Sequence, residues 1–438
     1  MKLTFKGGIH PFEGKELSMD KEIITYLPEK DMVYPLSQHI GKPASPVVKK
    51  GDRVLAGQLI ACADGFVSAN IHSSVSGTVK AIEPRLTSSG SKVNSIIISN
   101  DNQYESIEFI PNDKALDAYT KEEILDAIKN AGIVGMGGAG FPAHVKLSPK
   151  NPEKIDTIIV NASECEPYLT SDYRRIIEDA DRVIDGLRLI LKLFDGAKGI
   201  IGIEDNKPLA ISILNEKLAG DENITVNKLK TKYPEGAERQ LIFANTGRYI
   251  NSKMLPADAG CIVHNVDTVY AISEAVRLGK PLIDRIVTVS GDAISEPCNI
   301  KTLLGTSYEE LVKCAGGFDG EPKKVIAGGP MMGKAIYTLD IPATKSSSAI
   351  IALSEDEVSK YEPSACIRCG RCVSVCPGGI MPYSLATMAE RGKIDEFVKN
   401  NGMECCECGC CSYVCPAKRH LTQSIAGLRK NVLANRKK

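Results

Sequence analysis

The sequence predicts a multidomain protein that combines α/β and α+β units, and three observations support this prediction. The chain has 438 residues, which is more than a single hydrophobic core usually organises. Short apolar runs separated by turn residues fill much of the first hundred positions, whereas apolar strands alternate with helical periodicity in the middle. Ten of the fifteen cysteines lie between residues 366 and 415. We therefore expect several units of different architecture along the chain.

The N-terminal region predicts a small all-β unit. Residues 1–30 contain scattered glycines and prolines and are expected to be irregular, whereas the apolar runs from Val33 to Ile98 are typical of short strands. Residues 48–58 and 73–79 resemble the two halves of a biotinyl- or lipoyl-type barrel-sandwich hybrid. Such domains carry a modified lysine on a central hairpin, but here Phe66 occupies that place and no lysine lies nearby. We therefore expect a docking or structural role in preference to a cofactor site.

A glycine-rich loop follows a predicted helix at residues 120–131, whose Thr120 and Glu123 form a capping box. The loop, 135–142, contains G-x-G-x-x-G, but a dinucleotide fingerprint needs a strand before the glycines and a helix after them. Four glycines in six residues still leave backbone N–H groups open to a phosphate or a flat ring, and Lys146 can add positive charge. The alternative is a flexible turn without a ligand.

Polar loops follow several apolar segments in the middle of the chain. Residues 156–160 predict a buried strand, which ends in the acidic loop 161–167. A long amphipathic helix is expected over residues 174–194 and a further strand over 199–203. Two more polar loops lie beside apolar segments, at 232–239 and 263–268. Because ligands of α/β sheets bind at the carboxyl ends of strands, we expect a ligand site here.

The C-terminal cysteines form two copies of one pattern, C-x2-C-x2-C-x3-C-P, which holds [4Fe–4S] clusters in bacterial ferredoxins. Three thiolates on a tight loop cap three irons, and the fourth cysteine, at the start of the next element, ligates the other cluster. The predicted ligands of cluster 1 are Cys366, Cys369, Cys372 and Cys415. The predicted ligands of cluster 2 are Cys376, Cys405, Cys408 and Cys411.

Structural zinc is the alternative interpretation of these cysteines. Zinc needs four tetrahedral ligands, usually from two separated C-x2-C pairs, whereas each run here places three cysteines within seven residues before a Cys-Pro pair. Cys406 and Cys410 fall outside the repeat and are expected to pack near a cluster without ligating it. We therefore predict two [4Fe–4S] clusters.

Composition limits the remaining function classes. The 54 basic and 54 acidic residues cancel, so nothing indicates a nucleic-acid surface or a nucleic-acid partner. No apolar run is long enough to predict a transmembrane helix, and the first residues lack the apolar core of a signal peptide. Cysteines concentrated in a metal pattern indicate a reducing compartment. We expect a cytosolic protein, or one bound to the cytosolic side of a larger structure.

The middle of the chain resembles the flavin- and NADH-binding subunit of respiratory complex I. That family has a glycine loop ending in Ala-Gly-Phe-Pro with a lysine shortly after it, as residues 135–146 have here. Its Asn-Ala-Asp-Glu-x-Glu-Pro, Gly-Glu-Glu and Asn-Asn-Val-Glu-Thr motifs correspond to residues 161–167, 236–238 and 264–268. The sequence departs from the family at Met136, Ser163, Ala237 and His264.

The resemblance implies FMN and NADH as cofactors. It implies an FMN site formed by Gly135, Gly137, Gly138, Gly140, Lys146, Asn161, Glu164, Gly236, Asn265 and Thr268. It implies NADH stacking near Phe141, with Glu166 and Glu238 near the nicotinamide ribose. No side chain is expected to act as a catalytic acid or base, because hydride transfer depends on stacking and alignment more than on proton transfer.

Over essentially its whole length the chain resembles the C subunits of Rnf electron transport complexes. Residues 286–333 look like the small β-grasp domain that follows the flavin domain in complex I, and the two cysteine runs stand where complex I has a single-cluster helical domain. The family also includes cobalamin reductases of propanediol-utilising microcompartments. The start at residues 7–11, Gly-Gly-Ile-His-Pro, favours the Rnf member.

The Rnf resemblance implies a peripheral subunit on the cytoplasmic face of the cell membrane, held by membrane subunits and a ferredoxin-like subunit. Electrons would pass between ferredoxin and NAD⁺ through the clusters and FMN, coupled to translocation of Na⁺ or H⁺. The alternative is a non-catalytic electron-transfer docking module with a degenerate flavin site. The basic residues at 429–430 and 436–438 are expected to form a solvated helix end.

Four domains are therefore predicted. A barrel-sandwich hybrid occupies residues 1–112, and a Rossmann-like FMN/NADH domain occupies 113–280. A β-grasp domain occupies 281–355, and a helical two-cluster ferredoxin-like domain with a basic tail occupies 356–438.

Overall fold

The first unit of the computed structural model, which describes residues 3–435, consists of two small antiparallel sheets. The strands that precede the first α-helix are β1 (Ile24–Tyr26), β2 (Met32–Pro35), β3 (Ser45–Pro46), β4 (Arg53–Val54), β5 (Leu59–Cys62), β6 (Ile71–His72), β7 (Gly77–Leu86) and β8 (Lys92–Asn100). One sheet has the order β2-β8-β7-β4 and the other β3-β5-β6. Ile60, Ile71 and Ile98 are fully buried in their common core. Phe66 lies between β5 and β6 and is 78% exposed.

The first thirty residues are more ordered than the sequence predicts, because their partners lie far along the chain. Strand β1 pairs in parallel with the strand Cys298–Leu303, so that Ile24 stands opposite Ile300. Lys15–Leu17 forms a short 3₁₀ helix. These segments gain their structure from distant hydrogen bonds, which a local sequence pattern does not contain.

The central unit is a parallel α/β sheet. Its elements are α1 (Lys121–Asn130), α2 (Ala143–Lys146), β9 (Thr157–Ala162), α3 (Ser171–Leu191), β10 (Lys198–Glu204), α4 (Pro208–Lys217), β11 (Ile224–Leu229), α5 (Glu238–Thr246), β12 (Cys261–Asn265) and α6 (Val266–Leu278). The four strands are all parallel in the order β11-β10-β9-β12, which confirms the Rossmann-like prediction. The predicted capping box of Thr120 and Glu123 is present at the start of α1.

Helix α3 begins three residues before the predicted position and ends three residues before its predicted end. The carboxylate of Glu164 accepts hydrogen bonds from the backbone N–H groups of Asp172, at 2.7 Å, and Tyr173, at 3.3 Å. Since these groups belong to the unpaired N–H groups of the first turn, the acidic loop itself supplies the cap. Residues outside the helical pattern therefore set its start.

The third unit is a six-stranded mixed sheet with one helix. Its elements are β13 (Asp284–Ser290), β14 (Cys298–Leu303), α7 (Tyr308–Cys314), β15 (Lys324–Ala327), β16 (Lys334–Ile336) and β17 (Ala349–Leu353). The strand order is β1-β14-β13-β17-β15-β16, so the N-terminal strand β1 forms one edge. The sheet therefore contains residues from both sides of the α/β unit.

The fourth unit is helical, and its backbone repeats along with its cysteines. Its helices are α8 (Arg371–Ser374), α9 (Pro382–Glu390), α10 (Ile394–Lys399), α11 (Cys410–Tyr413) and α12 (Leu421–Asn435). Corresponding positions of the two cysteine runs share a left-handed backbone: Arg368 and Glu407, Gly370 and Gly409, Gly379 and Lys418. The duplicated sequence pattern is therefore a duplicated structure.

Further 3₁₀ helices lie at Leu116–Ala118, Pro152–Lys154, Pro256–Ala259 and Gly402–Glu404. Within residues 3–435, no helix is long and apolar enough to cross a membrane. The end of the predicted basic tail, residues 436–438, lies outside the described residues.

Candidate functional site

The glycine loop lies against the carboxyl edge of the parallel sheet. Gly137 and Gly138 are exposed, and a Cβ added at Gly137 would lie 2.8 Å from the Cβ of Asn265. The backbone N–H of Met136 donates to the hydroxyl oxygen of Thr268 at 2.9 Å. The loop therefore needs glycine at position 137 to approach Asn265, while its exposed backbone stays open to a ligand.

Two asparagines and a lysine–glutamate pair surround this loop. Asn161 and Asn265 stand opposite each other at the ends of β9 and β12. The side-chain amide of Asn161 donates to the carbonyl of Gly236 at 2.8 Å, and Lys146 Nζ donates to Glu238 Oε1 at 2.8 Å. The side chains of Lys146 and Glu238 are 26% and 42% exposed. Both charges therefore remain accessible at the rim of the site.

A buried lysine from the N-terminal segment fixes the acidic loop. Lys15 Nζ donates to the carbonyls of Glu164, Glu166 and Leu169 at 2.8, 3.0 and 2.6 Å. These bonds use all three hydrogens of the ammonium group. Because Glu164 has a φ of 47°, which an ordinary residue adopts rarely, Lys15 stabilises an unusual backbone conformation.

Glu166 joins the acidic loop to the third unit. Its carboxylate accepts hydrogen bonds from the backbone N–H groups of Met331 and Met332, both at 3.0 Å. Burial raises the pKa of Glu166 to about 7, and the two N–H donors oppose this rise. The loop after β15 therefore holds this carboxyl group in place.

A second buried charge cluster holds the start of α6, which directly follows β12. Asp267 accepts from Arg175 Nε at 2.8 Å and from Arg285 Nη1 at 3.0 Å, and all three side chains are 3% exposed. Arg285 also donates to the carbonyl of Met136 at 3.4 Å. Since Arg285 lies in β13, the third unit supports the glycine loop as well as the acidic loop.

The predicted cofactor residues gather at one edge of the sheet but differ in accessibility. The exposed or half-buried ones are Gly135, Gly137, Gly138, Phe141, Lys146, Asn161, Glu166, Gly236, Glu238 and Asn265. Gly140, Glu164 and Thr268 are buried, and the side chains of Glu164 and Thr268 accept hydrogen bonds from backbone N–H groups of the protein. Sequence reasoning missed Lys15 and Arg285, because both reach the site from distant segments and carry no local signal.

The predicted ligands of cluster 2 line one small cavity in the fourth unit. Cys376, Cys405, Cys408 and Cys411 all contribute to its wall, together with Cys406 and Cys410. Among the described residues, no three His, Cys, Asp or Glu side chains lie close enough to hold a single metal ion. The four thiols therefore face a common space without meeting at a point.

The predicted ligands of cluster 1 lie nearer the surface. Cys366 and Cys369 are exposed, Cys415 is half-buried and Cys372 is buried. Burial raises the pKa of the Cys372 thiol, and charge on the nearby Cys415, Cys366 and Cys369 raises it further. Cys372 therefore lies within electrostatic reach of Cys415, from the second run, as well as of two cysteines of the first.

The cysteine cavity and the loop that carries Gly236 share a wall. The hydroxyl of Tyr233 donates to the carbonyl of Cys408 at 2.8 Å. Arg239 pairs with Glu404 at 3.0 Å, and Glu404 also lines the cavity. Residues 232–239 therefore contact Asn161 and Lys146 on one side and the second cysteine run on the other.

Comparison with known families assigns each part of the chain. Family models match as an RnfC barrel sandwich hybrid domain at residues 3–103, a Nuo51 FMN-binding domain at 128–274, an SLBB domain at 286–335 and a 4Fe-4S binding domain at 360–381. Their order is the order of units predicted from the sequence, which confirms the predicted fold class. The 4Fe-4S match covers the first cysteine run.

Curated relatives decide the family. The C subunit of the Na⁺-translocating ferredoxin:NAD⁺ oxidoreductase complex of Acetobacterium woodii is 44% identical, with 99% of this chain and 98% of the relative covered. The chain belongs to the C-subunit family of ion-translocating ferredoxin:NAD⁺ oxidoreductase complexes. Its counterpart in the proton-translocating complex of Clostridium ljungdahlii is 46% identical, with 90% of this chain and 86% of the relative covered.

A solved structure supports the fold of this family member. An NAD⁺-reducing [NiFe]-hydrogenase in the H2-reduced state matches with a TM-score of 0.50 and 17% identity, over 73% of this chain and 62% of the hydrogenase chain. At this identity the likeness concerns the fold alone.

The glycine-loop site fits FMN chemically. A Cβ added at Gly138 would meet no atom within 4 Å, so the backbone there is open to a phosphate or a ring. Lys146 offers an ammonium group for a phosphate. The amides of Asn161 and Asn265 each donate one hydrogen bond within the protein, to Gly236 and Asp172, and each has a second N–H hydrogen at the sheet edge. This donor set suits an anionic phosphate joined to a flat, polar-edged ring.

Proposed function

We propose that this chain passes electrons between NAD(H) and the partner subunits of its complex, using FMN and two [4Fe–4S] clusters. The shared wall between the glycine-loop site and the cysteine cavity carries the proposal. Tyr233 contacts Cys408 directly, and Arg239 pairs with Glu404. A flavin site and a cluster site in contact within one chain have the proximity that electron transfer requires.

The flavin would lie between the glycine loop and the ends of β9 and β12. Lys146 would pair with its phosphate, and exposed N–H groups around Gly137 and Gly138 would bind the phosphate or the ring. Asn161 and Asn265 would hydrogen-bond to the ring edge. Bound FMN would supply the conversion between two-electron hydride chemistry and one-electron transfer to clusters.

The nicotinamide would enter from the side of Phe141, whose half-buried ring offers a stacking surface. Glu166 and Glu238 would lie at the ribose of the bound NADH, and Glu238 remains 42% exposed beside Lys146. Their carboxylates would accept hydrogen bonds from ribose hydroxyls. Glu166 is already oriented by two backbone N–H donors, so its contribution is alignment.

The two clusters would form one electron-transfer path. Cluster 2, with Cys376 from the first run, would lie beside loop 232–239 and so nearer the flavin. Cluster 1, with Cys415 from the second run, would lie towards the exposed Cys366 and Cys369. Because each cluster takes one cysteine from the other run, the protein ties them into a single unit.

The assembly would be peripheral, on the cytoplasmic face of a cell membrane. The relatives named above belong to complexes that translocate protons in one case and Na⁺ in the other. We propose an ion-translocating complex of this kind, with membrane subunits and a ferredoxin-like subunit as partners. The exposed cysteine loop around Cys366 supports a docking point for the subunit that exchanges electrons with cluster 1.

Anaerobic purification followed by reconstitution with iron, sulfide and FMN tests the proposal. We expect the reconstituted chain to retain one FMN and two [4Fe–4S] clusters. NADH should bleach the flavin absorbance first and the cluster absorbance second. A chain that retains no FMN, and whose clusters NADH does not reduce, would leave only the docking-module alternative.

In membranes with the whole complex, reduced ferredoxin should drive NAD⁺ reduction. Two results together would instead support the cobalamin reductase alternative. The chain would reduce cobalamins with NADH, and ferredoxin would drive no NAD⁺ reduction in the membranes.

A further inference from the structure

The segment Gly7–Ile9 lies between the loop of Tyr233 and the cysteine cavity. The backbone N–H of Gly8 donates to the carbonyl of Val375 at 2.8 Å. Ile9 and Tyr233 exchange two backbone hydrogen bonds, both at 2.9 Å. The segment therefore connects the central unit to the residue that precedes Cys376.

Two glycines make this close contact feasible. Gly7 and Gly8 have φ values of 84° and 82°, which residues with a Cβ rarely adopt. A Cβ at Gly7 would lie 2.9 Å from the carbonyl oxygen of Val375 and 3.0 Å from that of Cys376. A Cβ at Gly8 would lie 2.7 Å from the carbonyl oxygen of Tyr233. A side chain at Gly7 would press on the first cysteine run, and one at Gly8 would press on the loop of Tyr233, so either one would disturb the contact between the two.

The same contact reaches the second cysteine run through Tyr233. Tyr233 is 2% exposed, and its hydroxyl donates to the carbonyl of Cys408. Ile9, which is 5% exposed, packs with Tyr233 and Cys408 in one apolar cluster. An added Cβ at Gly7 would press on the backbone of Cys376, and Tyr233 bonds to that of Cys408; both cysteines line the same cavity.

The segment is anchored on both sides of this contact. Before it, Lys232 Nζ donates to the carbonyl of Phe5 and lies 3.9 Å from the centre of the Phe5 ring. After it, Lys15 bonds to three carbonyls of the acidic loop. Because both ends of the segment are fixed to the central unit, the segment resists displacement, and a side chain added to it displaces the cysteine run instead.

We propose that Gly7–Ile9 is a positioning element that sets the separation between the flavin site and cluster 2, and hence the rate of electron transfer between them. The inference rests on the proposed function. In this step one electron leaves the reduced flavin and reduces the oxidised cluster, and no bond forms or breaks. Since close-packed interiors transmit small displacements, a side chain at position 7 shifts the cluster and not only the loop.

The test compares Gly7→Ala and Gly8→Ala with Gly51→Ala and Gly220→Ala in the reconstituted full chain. The control glycines have φ values of 93° and 86°, but an added Cβ there would meet no atom within 4 Å. Rapid mixing with NADH separates flavin bleaching from cluster reduction. The first two variants should bleach flavin at the unmodified rate and reduce clusters roughly tenfold more slowly or worse. The controls should change neither rate.

Equal cluster-reduction rates in Gly7→Ala and the unmodified chain, with FMN and iron content retained, would overturn the inference. If Gly7→Ala loses a cluster, Ile9→Ala serves instead, because it removes apolar contact with Tyr233 and keeps the backbone bonds. It should also slow cluster reduction alone, and unchanged rates would again overturn the inference.

Photoreduction of bound FMN starts the same step without NADH. If NADH does not reduce the chain, but light-driven transfer is slower in Gly7→Ala than in the unmodified chain, the proposed NADH reaction is refuted. The inference about Gly7–Ile9 then still stands.

Discussion

At the residue scale, Lys146 combines accessibility with a defined partner. Its ammonium group lies 2.8 Å from a carboxylate oxygen of Glu238 and is partly exposed beside the glycine loop. A phosphate placed there would gain a charge-assisted hydrogen bond, which is stronger than a neutral one. The lysine lies on the short helix α2, which directly follows the glycine loop in the chain.

Lys146→Ala should weaken FMN binding by about tenfold or more, because a hydrogen bond to a charged group contributes about 1.5–3 kcal/mol. The dissociation constant can be measured by flavin fluorescence on the deflavinated chain. Lys150→Ala removes an exposed lysine four residues away and should leave binding unchanged. Equal affinity in the two variants would argue against Lys146 as the phosphate ligand.

The burial of His264 predicts that the free energy of unfolding depends on pH. Burial, with a smaller effect from the charge of Lys146, lowers the pKa of His264 to about 3. The unfolded chain binds this proton near pH 6.5 and the folded chain does not, so stability is present above pH 6.5 and is lost as the pH falls towards 3. Between pH 7.5 and 5.5, this one group should lower the free energy of unfolding by about 1.4 kcal/mol.

His264→Asn should remove that contribution. Thermal unfolding at a series of pH values should show a smaller loss of stability in the variant between pH 7.5 and 5.5. The comparison concerns the slope, so a uniform offset in stability does not affect it. Identical slopes in the two chains would mean that His264 binds its proton in the folded state as readily as in the unfolded state.

At the element scale, the crossed cysteine assignment makes opposite predictions for two serine variants. Cys376→Ser should remove cluster 2, whose other ligands lie in the second run, and Cys415→Ser should remove cluster 1. Each variant should lose about half its iron and one of two EPR signals. Cys62→Ser changes a free thiol in β5 and should lose neither. The assignment fails if Cys376→Ser abolishes the same signal as Cys372→Ser.

The sequence predicts elements well where the pattern that defines them is local. The capping box of α1, the parallel strands and the repeated cysteine loops follow from patterns within a few residues. It predicts them poorly where a distant group completes them: β1 needs β14 as a partner, and α3 takes its cap from Glu164. For the same reason the glycine loop and asparagines were predictable, whereas Lys15 was not.

At the scale of the whole molecule, the units are joined by residues that cross between them. The N-terminal segment contacts the central, third and fourth units in turn, through Lys15, β1 and Gly8. Glu166 and Arg285 link the central and third units beside the proposed flavin site. The redox site is therefore formed by the packing of units against one another, which explains why segments on either side of the α/β unit support it.

Lys345 links the barrel-sandwich unit to the third and central units. It is fully buried, and burial lowers its pKa to about 7. Its ammonium group donates to the carbonyl of Asn70 in the first unit and, at 2.7 Å, to that of Gly132 just before the glycine loop. Its backbone N–H donates to Gln38 Oε1 at 3.1 Å. Three units thus meet at one side chain, whose partner Gly132 lies three residues before Gly135.

Lys345→Met should therefore loosen the barrel-sandwich unit and the glycine loop together. It leaves two buried carbonyl groups without this donor, and each unsatisfied group costs about 1–3 kcal/mol. Hydrogen exchange should increase both near residues 38–40 and near 132–140, and FMN should bind more weakly. Lys334→Met, at an exposed lysine of the same unit, should change neither region. Faster exchange in only one of the two regions would mean that the barrel-sandwich unit packs beside the flavin site without supporting it.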